Sequence, residues 1–67
     1  MGDAEELNLL RDNYEHALAS YEAVCLALNR YLITGTRPSA ADITRERDAR
    51  MLLDTARRSY LDALMLR

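Results

Sequence analysis

The chain has 67 residues, including 9 arginines and no lysine, 11 acidic residues and a formal net charge of −2. This length allows one domain, residues 1–67, and the charge balance gives no overall attraction to nucleic acid or anionic membranes. Domains below about 70–80 residues rarely obtain more than ~3–5 kcal/mol from one core. The single Cys25 cannot form a disulfide within the chain, so we expect oligomerisation to supply the missing stability.

The N-terminal residues contain neither a basic segment nor an apolar one of the kind that targets a protein for export. No apolar run approaches the ~20 residues that a membrane-spanning helix needs. Together with the unpaired cysteine, these features predict a cytoplasmic protein that does not enter a membrane.

The first half of the chain predicts one long amphipathic helix, at about 4–33. Asp3 is its expected N-cap, with Glu6 completing a capping box. Apolar residues recur at alternating intervals of three and four, which is a heptad pattern. Leu18, Cys25 and Leu32 each follow such a position and widen the stripe, which suits a helix with more than one neighbour. The seam positions of this helix are Leu7, Leu10, Tyr14, Ala17, Tyr21, Val24, Leu28 and Tyr31.

A short turn, at about 34–38, should follow. Gly35 can adopt the left-handed conformation that ends a helix, and Pro38 cannot continue one. Ser39 is a good N-cap with Asp42 three residues later, so a second helix is predicted at about 40–66. A turn this short makes the two helices antiparallel neighbours. The fold class predicted is therefore an all-α, antiparallel two-helix hairpin.

The second helix also carries an apolar stripe. Folding the hairpin at its turn pairs residues whose numbers add to about 73, so Tyr21 should face Leu52 and Leu53. Ala17 and Ala56 should mark the closest approach of the helices. The segment 42–50 is highly charged and should be the least well packed part of its helix. The apolar stripe consists of Ala49, Leu52, Leu53, Ala56, Tyr60, Ala63 and Leu64.

Few residues suggest chemistry. His16 is the one histidine, and its surroundings lack the Glu-x-x-His pairs of di-iron bundles, so we interpret it as a surface residue. Cys25 has no base at helical spacing and is interpreted as a packing residue. The four tyrosines lie mainly at seam positions, where packing is their ordinary role. We therefore expect no catalytic, metal or cofactor site and no enzymatic activity.

Four arginines of the second helix, Arg47, Arg50, Arg57 and Arg58, form the candidate nucleic-acid face. Positions 46, 50, 54, 58 and 62, however, read Glu, Arg, Asp, Arg, Asp. This ladder of opposite charges four residues apart stabilises an exposed helix face, and its acids repel phosphate. We therefore keep a small dimeric nucleic-acid-binding regulator as the alternative function.

The preferred prediction is a structural or interaction module. A lone hairpin would leave much of its apolar stripe in water, so we expect a homodimer that forms a four-helix bundle and presents a helical surface to another protein. Leu61 and Met65 add apolar surface near the free end. The predicted oligomer or partner interface comprises Tyr14, Leu18, Cys25, Leu32, Leu61, Leu64 and Met65.

Overall fold

The computed structural model describes residues 2–66, and it describes the side chains of residues 4–66. Two α-helices, α1 at Gly2–Thr34 and α2 at Ala40–Met65, pack against each other in an antiparallel hairpin. No strand occurs within residues 2–66. The predicted all-helical hairpin is therefore confirmed, with helix ends within two residues of those predicted.

The start of α1 differs from the prediction. The helix begins at Gly2, so Asp3 lies within its first turn and is not the residue that precedes it. Acidic residues are favourable in a first turn because the N-terminal end of the helix dipole is positive. From there α1 continues without interruption through Ala19 and Ser20 to Thr34.

The turn closes α1 with a Schellman motif. Gly35 has a positive φ of 71°, and the amide of Thr36 donates a 3.1 Å hydrogen bond to the carbonyl of Tyr31. Ser39 then caps α2, because its hydroxyl accepts a 3.1 Å hydrogen bond from the amide of Asp42. Both predicted helix-ending and helix-starting signals are confirmed.

The contact between the helices is narrow. In α1 the partly buried positions are the eight predicted seam positions together with Leu18 and Cys25. In α2 the covered positions, 42, 46, 49, 53, 56, 60 and 63, also alternate between intervals of four and three. Among residues 4–66, Leu53 alone is buried, at 9% exposure.

Leu52 does not lie in this seam. It is 67% exposed, so the prediction that it faces Tyr21 in the core is wrong. The heptad geometry explains the difference, because the seam of α2 passes through Ala49, Leu53 and Ala56 and leaves Leu52 beside it.

The hairpin is long and thin, with extents of 51 × 16 × 13 Å. Its radius of gyration is 15.3 Å, whereas a compact domain of this length would have a radius of about 11 Å. A rod of two helices encloses little volume, which is why so few side chains are withdrawn from water.

Candidate interaction surfaces

Two tyrosines of α1 reach across the seam to acids of α2. The Tyr21 hydroxyl donates a 2.9 Å hydrogen bond to the Glu46 carboxylate, and the Tyr31 hydroxyl donates one to the Asp42 carboxylate. Segment 42–50 was predicted to be the least well packed part of α2. Two acids of this segment, Asp42 and Glu46, are held in the seam by partly buried hydrogen bonds from the long tyrosine side chains.

These hydrogen bonds shift the pKa values of Tyr21 and Asp42. The hydrogen bond to Glu46 raises the pKa of Tyr21 to about 12, with smaller contributions from the neighbouring Cys25 thiol and from burial. The hydrogen bond from Tyr31 lowers the pKa of Asp42 from its ordinary value. Ser39 and Arg45 act on the pKa of Asp42 in the same direction, and burial acts against them.

A third layer brings Tyr14 and Tyr60 together, with ring centroids 6.2 Å apart and planes inclined at 32°. This tilted arrangement is a favourable aromatic contact. All four tyrosines are thus partly covered in the seam of the hairpin. Tyr14, predicted at an interface between chains, is already engaged within its own chain.

The other predicted interface residues do not form one continuous surface. Leu18 and Cys25 are half-buried beside the seam, and Leu32 is 80% exposed close to the turn. Leu64 lies near the opposite, open end of the 51 Å hairpin. Leu61 and Met65 border a separate depression on α2, together with Asp54, Arg57, Arg58 and Asp62.

The candidate nucleic-acid face is partly neutralised by ion pairs. Arg50 lies 3.9 Å from Glu46, as the ladder predicts, but Asp54 pairs with Arg57 at 3.0 Å and not with Arg58. Arg45 lies 3.6 Å from Asp42. Three arginines of α2 therefore each have a carboxylate within one helical turn.

A groove runs along one side of the seam, near the middle of the hairpin. Its volume is about 510 Å³, and five side chains from each helix, within 10–20 and 49–59, line it. Ala17 and Ala56 are half-buried within it, and Ser20 and Ser59 are exposed in its lining. The small size of these four residues leaves the gap open. Sequence reasoning missed this groove, although the predicted Ala17–Ala56 layer was its signal.

His16 also lines the groove, in an exposed position. Within the part of the chain that the structure describes, no three His, Cys, Asp or Glu side chains are grouped closely enough to hold a metal ion. Neither described helix is long and apolar enough to cross a membrane.

The geometry therefore offers three surfaces for contact with other molecules: a groove, the half-buried Leu18 and Cys25 beside the seam, and a charged depression near Leu61. Comparison of the chain with protein-family models, curated proteins and solved structures found no match.

Proposed function

We propose that this chain is a non-enzymatic interaction module that associates with a second copy of itself into a four-helix bundle, which presents a helical surface to a protein partner. The support comes from the surface that the single hairpin leaves in water. Leu53 is the one buried side chain within residues 4–66. The hydrophobic effect is the dominant favourable contribution to folding, and the single hairpin buries little apolar surface from which to gain it.

The accessible surface area shows how much more surface the single hairpin exposes than an ordinary folded monomer. The chain has a mass of 7.7 kDa and an accessible surface of 5461 Å². A folded monomer of this mass normally exposes about 4,300 Å². The excess of about 1,100 Å² exceeds the roughly 800 Å² that each partner buries in a standard protein interface. One neighbour of similar length would therefore bring the hairpin to an ordinary degree of burial.

The exposed apolar side chains are numerous enough to form such an interface. They occur on both helices and on more than one face, with Leu9, Leu26, Leu32, Ile33, Ile43, Met51, Leu52, Leu61, Leu64, Met65 and Leu66 all at least 44% exposed. A two-fold dimer is the commonest closed assembly, and two antiparallel hairpins side by side make four helices. These observations support self-association over a free-standing monomer.

The alternative is a small dimeric nucleic-acid-binding regulator that uses Arg47, Arg50, Arg57 and Arg58. Its support is the exposure of all four side chains on α2. The ion pairs of Arg50 and Arg57 weigh against it, because a phosphate would have to displace the carboxylates of Glu46 and Asp54.

The dependence of stability on concentration tests the preferred proposal. If unfolding separates two chains, dilution favours the unfolded state by mass action. We expect the thermal midpoint to fall by on the order of 10 °C over a hundredfold dilution. A midpoint that stays constant over the same series, with unchanged helix content, would rule out self-association.

A further inference from the structure

The groove differs from the rest of the molecule in its charge. Acidic and basic residues make up 30% of the chain, so about three would be expected among ten residues. The ten residues that line the groove include no Asp, Glu or Arg. Depletion of charge is the compositional mark of the core of a protein interface. Withdrawing the groove from water therefore costs less desolvation free energy than withdrawing the charged surfaces of the hairpin.

The other surfaces carry charges that a second copy would have to bury. The depression near Leu61 and Met65 is lined by four charged residues among six. The side of the seam opposite the groove carries residues that directly follow seam positions in the chain. On α1 these include Leu18 and Cys25, and on α2 they include Arg50 and Arg57, which follow Ala49 and Ala56. A two-fold contact on that side would bring two arginines from each chain into one interface, where desolvation is costly.

A large apolar side chain that fits such a groove lies on the same surface. Leu52 lines it and is 67% exposed, so a large apolar side chain stands beside a gap floored by Ala17 and Ala56. In a two-fold contact the same patch meets itself. Each copy can then place its Leu52 in the groove of the other, and the small side chains allow the helices to approach closely.

We infer that the groove between α1 and α2 is the surface on which a second copy of this chain packs, with Leu52 of each copy filling the groove of its partner. This inference rests on the proposed self-association and names the face that performs it. It differs from the interface predicted from the sequence, which lies mainly beside Leu18 and Cys25 and at the ends of the hairpin.

Charge substitutions on the two faces separate these possibilities. Ser20→Glu and Ser59→Glu each introduce a carboxylate at an exposed position of the groove, one on each helix. The matched controls, Leu32→Glu and Leu64→Glu, place the same charge at exposed positions of the predicted interface. Circular dichroism of each variant verifies that the hairpin still folds.

Sedimentation equilibrium then measures the dimer dissociation constant of each variant. We expect Ser20→Glu and Ser59→Glu to raise it by about 100-fold or more, because each dimer would bury two unpaired charges. Leu32→Glu and Leu64→Glu should change it by less than about threefold. Leu52→Ala, which adds no charge, should raise it by at least about tenfold.

The outcomes distinguish the two claims. If the unaltered chain dimerises and the controls disrupt the dimer while the groove variants do not, the groove inference is overturned and self-association stands. If the unaltered chain is a monomer, both fail.

Alkylation of Cys25 provides a check without substitution. Its rate should change by less than about twofold on dimerisation if the groove is the interface, and a strong decrease would place the interface on the opposite side.

Discussion

The Tyr21 hydroxyl of α1 donates a 2.9 Å hydrogen bond to the Glu46 carboxylate of α2, linking the helices across their seam. The contact joins residues 25 positions apart in the chain. A charge-assisted hydrogen bond of this kind is stronger than one between neutral groups. It therefore couples the alignment of the helices to the ionisation of Tyr21.

The first prediction concerns the ionisation of Tyr21. Its pKa in the folded chain, about 12, lies above the ordinary tyrosine value of 10.0. The stabilisation from the neutral hydroxyl is thus fully present below pH 10 and is lost as the pH rises through about 12. Subtracting the tyrosinate absorbance titration of Tyr21→Phe from that of the unaltered chain should reveal one group with a midpoint near 12. A midpoint near 10 would contradict the contact.

The second prediction concerns Asp42, whose carboxylate accepts a hydrogen bond from the Tyr31 hydroxyl and whose backbone amide donates one to the Ser39 hydroxyl. The folded pKa of this carboxyl is lowered from 3.8, so its stabilisation is present above that value and is lost as the pH falls through the lowered pKa. Asp42→Asn should therefore lower the thermal midpoint at neutral pH, and the difference should shrink in acid. Asp48→Asn, at an exposed position, is the control. Equal effects of the two substitutions at neutral pH would be inconsistent with this role.

The third prediction concerns the turn. A Cβ added at Gly35 would meet no atom within 4 Å, so a substitution there is disfavoured by the φ of 71° and not by a clash. Gly35→Val should destabilise the hairpin by roughly 1 kcal/mol or more, because a β-branched residue resists positive φ. Gly35→Asn should cost less, since asparagine tolerates this conformation. Urea unfolding measures both, and an equal cost would mean that backbone conformation does not control the turn.

The fourth prediction concerns the core. Leu53→Ala should cost about 2–5 kcal/mol, since it removes the most buried side chain of the seam. Leu26→Ala, at a residue that is 68% exposed on the outside of α1, should cost less than about 0.5 kcal/mol. The free energies of unfolding in urea decide this comparison. Similar losses for the two variants would show that the seam is assigned to the wrong residues.

The fifth prediction concerns nucleic acid. We expect labelled RNA and duplex DNA to bind weakly or not at all at about 0.15 M salt. The reason is the pairing of Arg45, Arg50 and Arg57 with carboxylates on the same helix. Micromolar or tighter binding that weakens steeply with salt, and that Arg57→Ala combined with Arg58→Ala abolishes, would favour the alternative function.

The hairpin was predictable because each of its features is local in the sequence. The heptad spacing of α1, the glycine at position 35 and the cap at Ser39 each identify an element from a few neighbouring residues. The pairing of helices then follows from the shortness of the turn. The start of α1 is harder to predict from the sequence, because Asp3 is acceptable both as an N-cap and within a first turn.

The seam contacts of Asp42 and Glu46 could not be obtained from hydrophobicity, because both residues are charged. Their spacing from Ala49 and Leu53 continues the heptad pattern of α2 toward its N-terminus, and this was the available signal. The error at Leu52 has the opposite cause. Hydrophobicity alone does not distinguish an apolar residue beside the seam from one within it. The groove depends on how small side chains face each other across two helices, which requires coordinates.

Sedimentation equilibrium of the unaltered chain over a hundredfold dilution tests self-association most directly. A self-associating hairpin should have a mass near twice 7.7 kDa at high concentration, falling toward 7.7 kDa as the chains separate. A mass of 7.7 kDa at every concentration, from a chain that retains its full helix content, would contradict it.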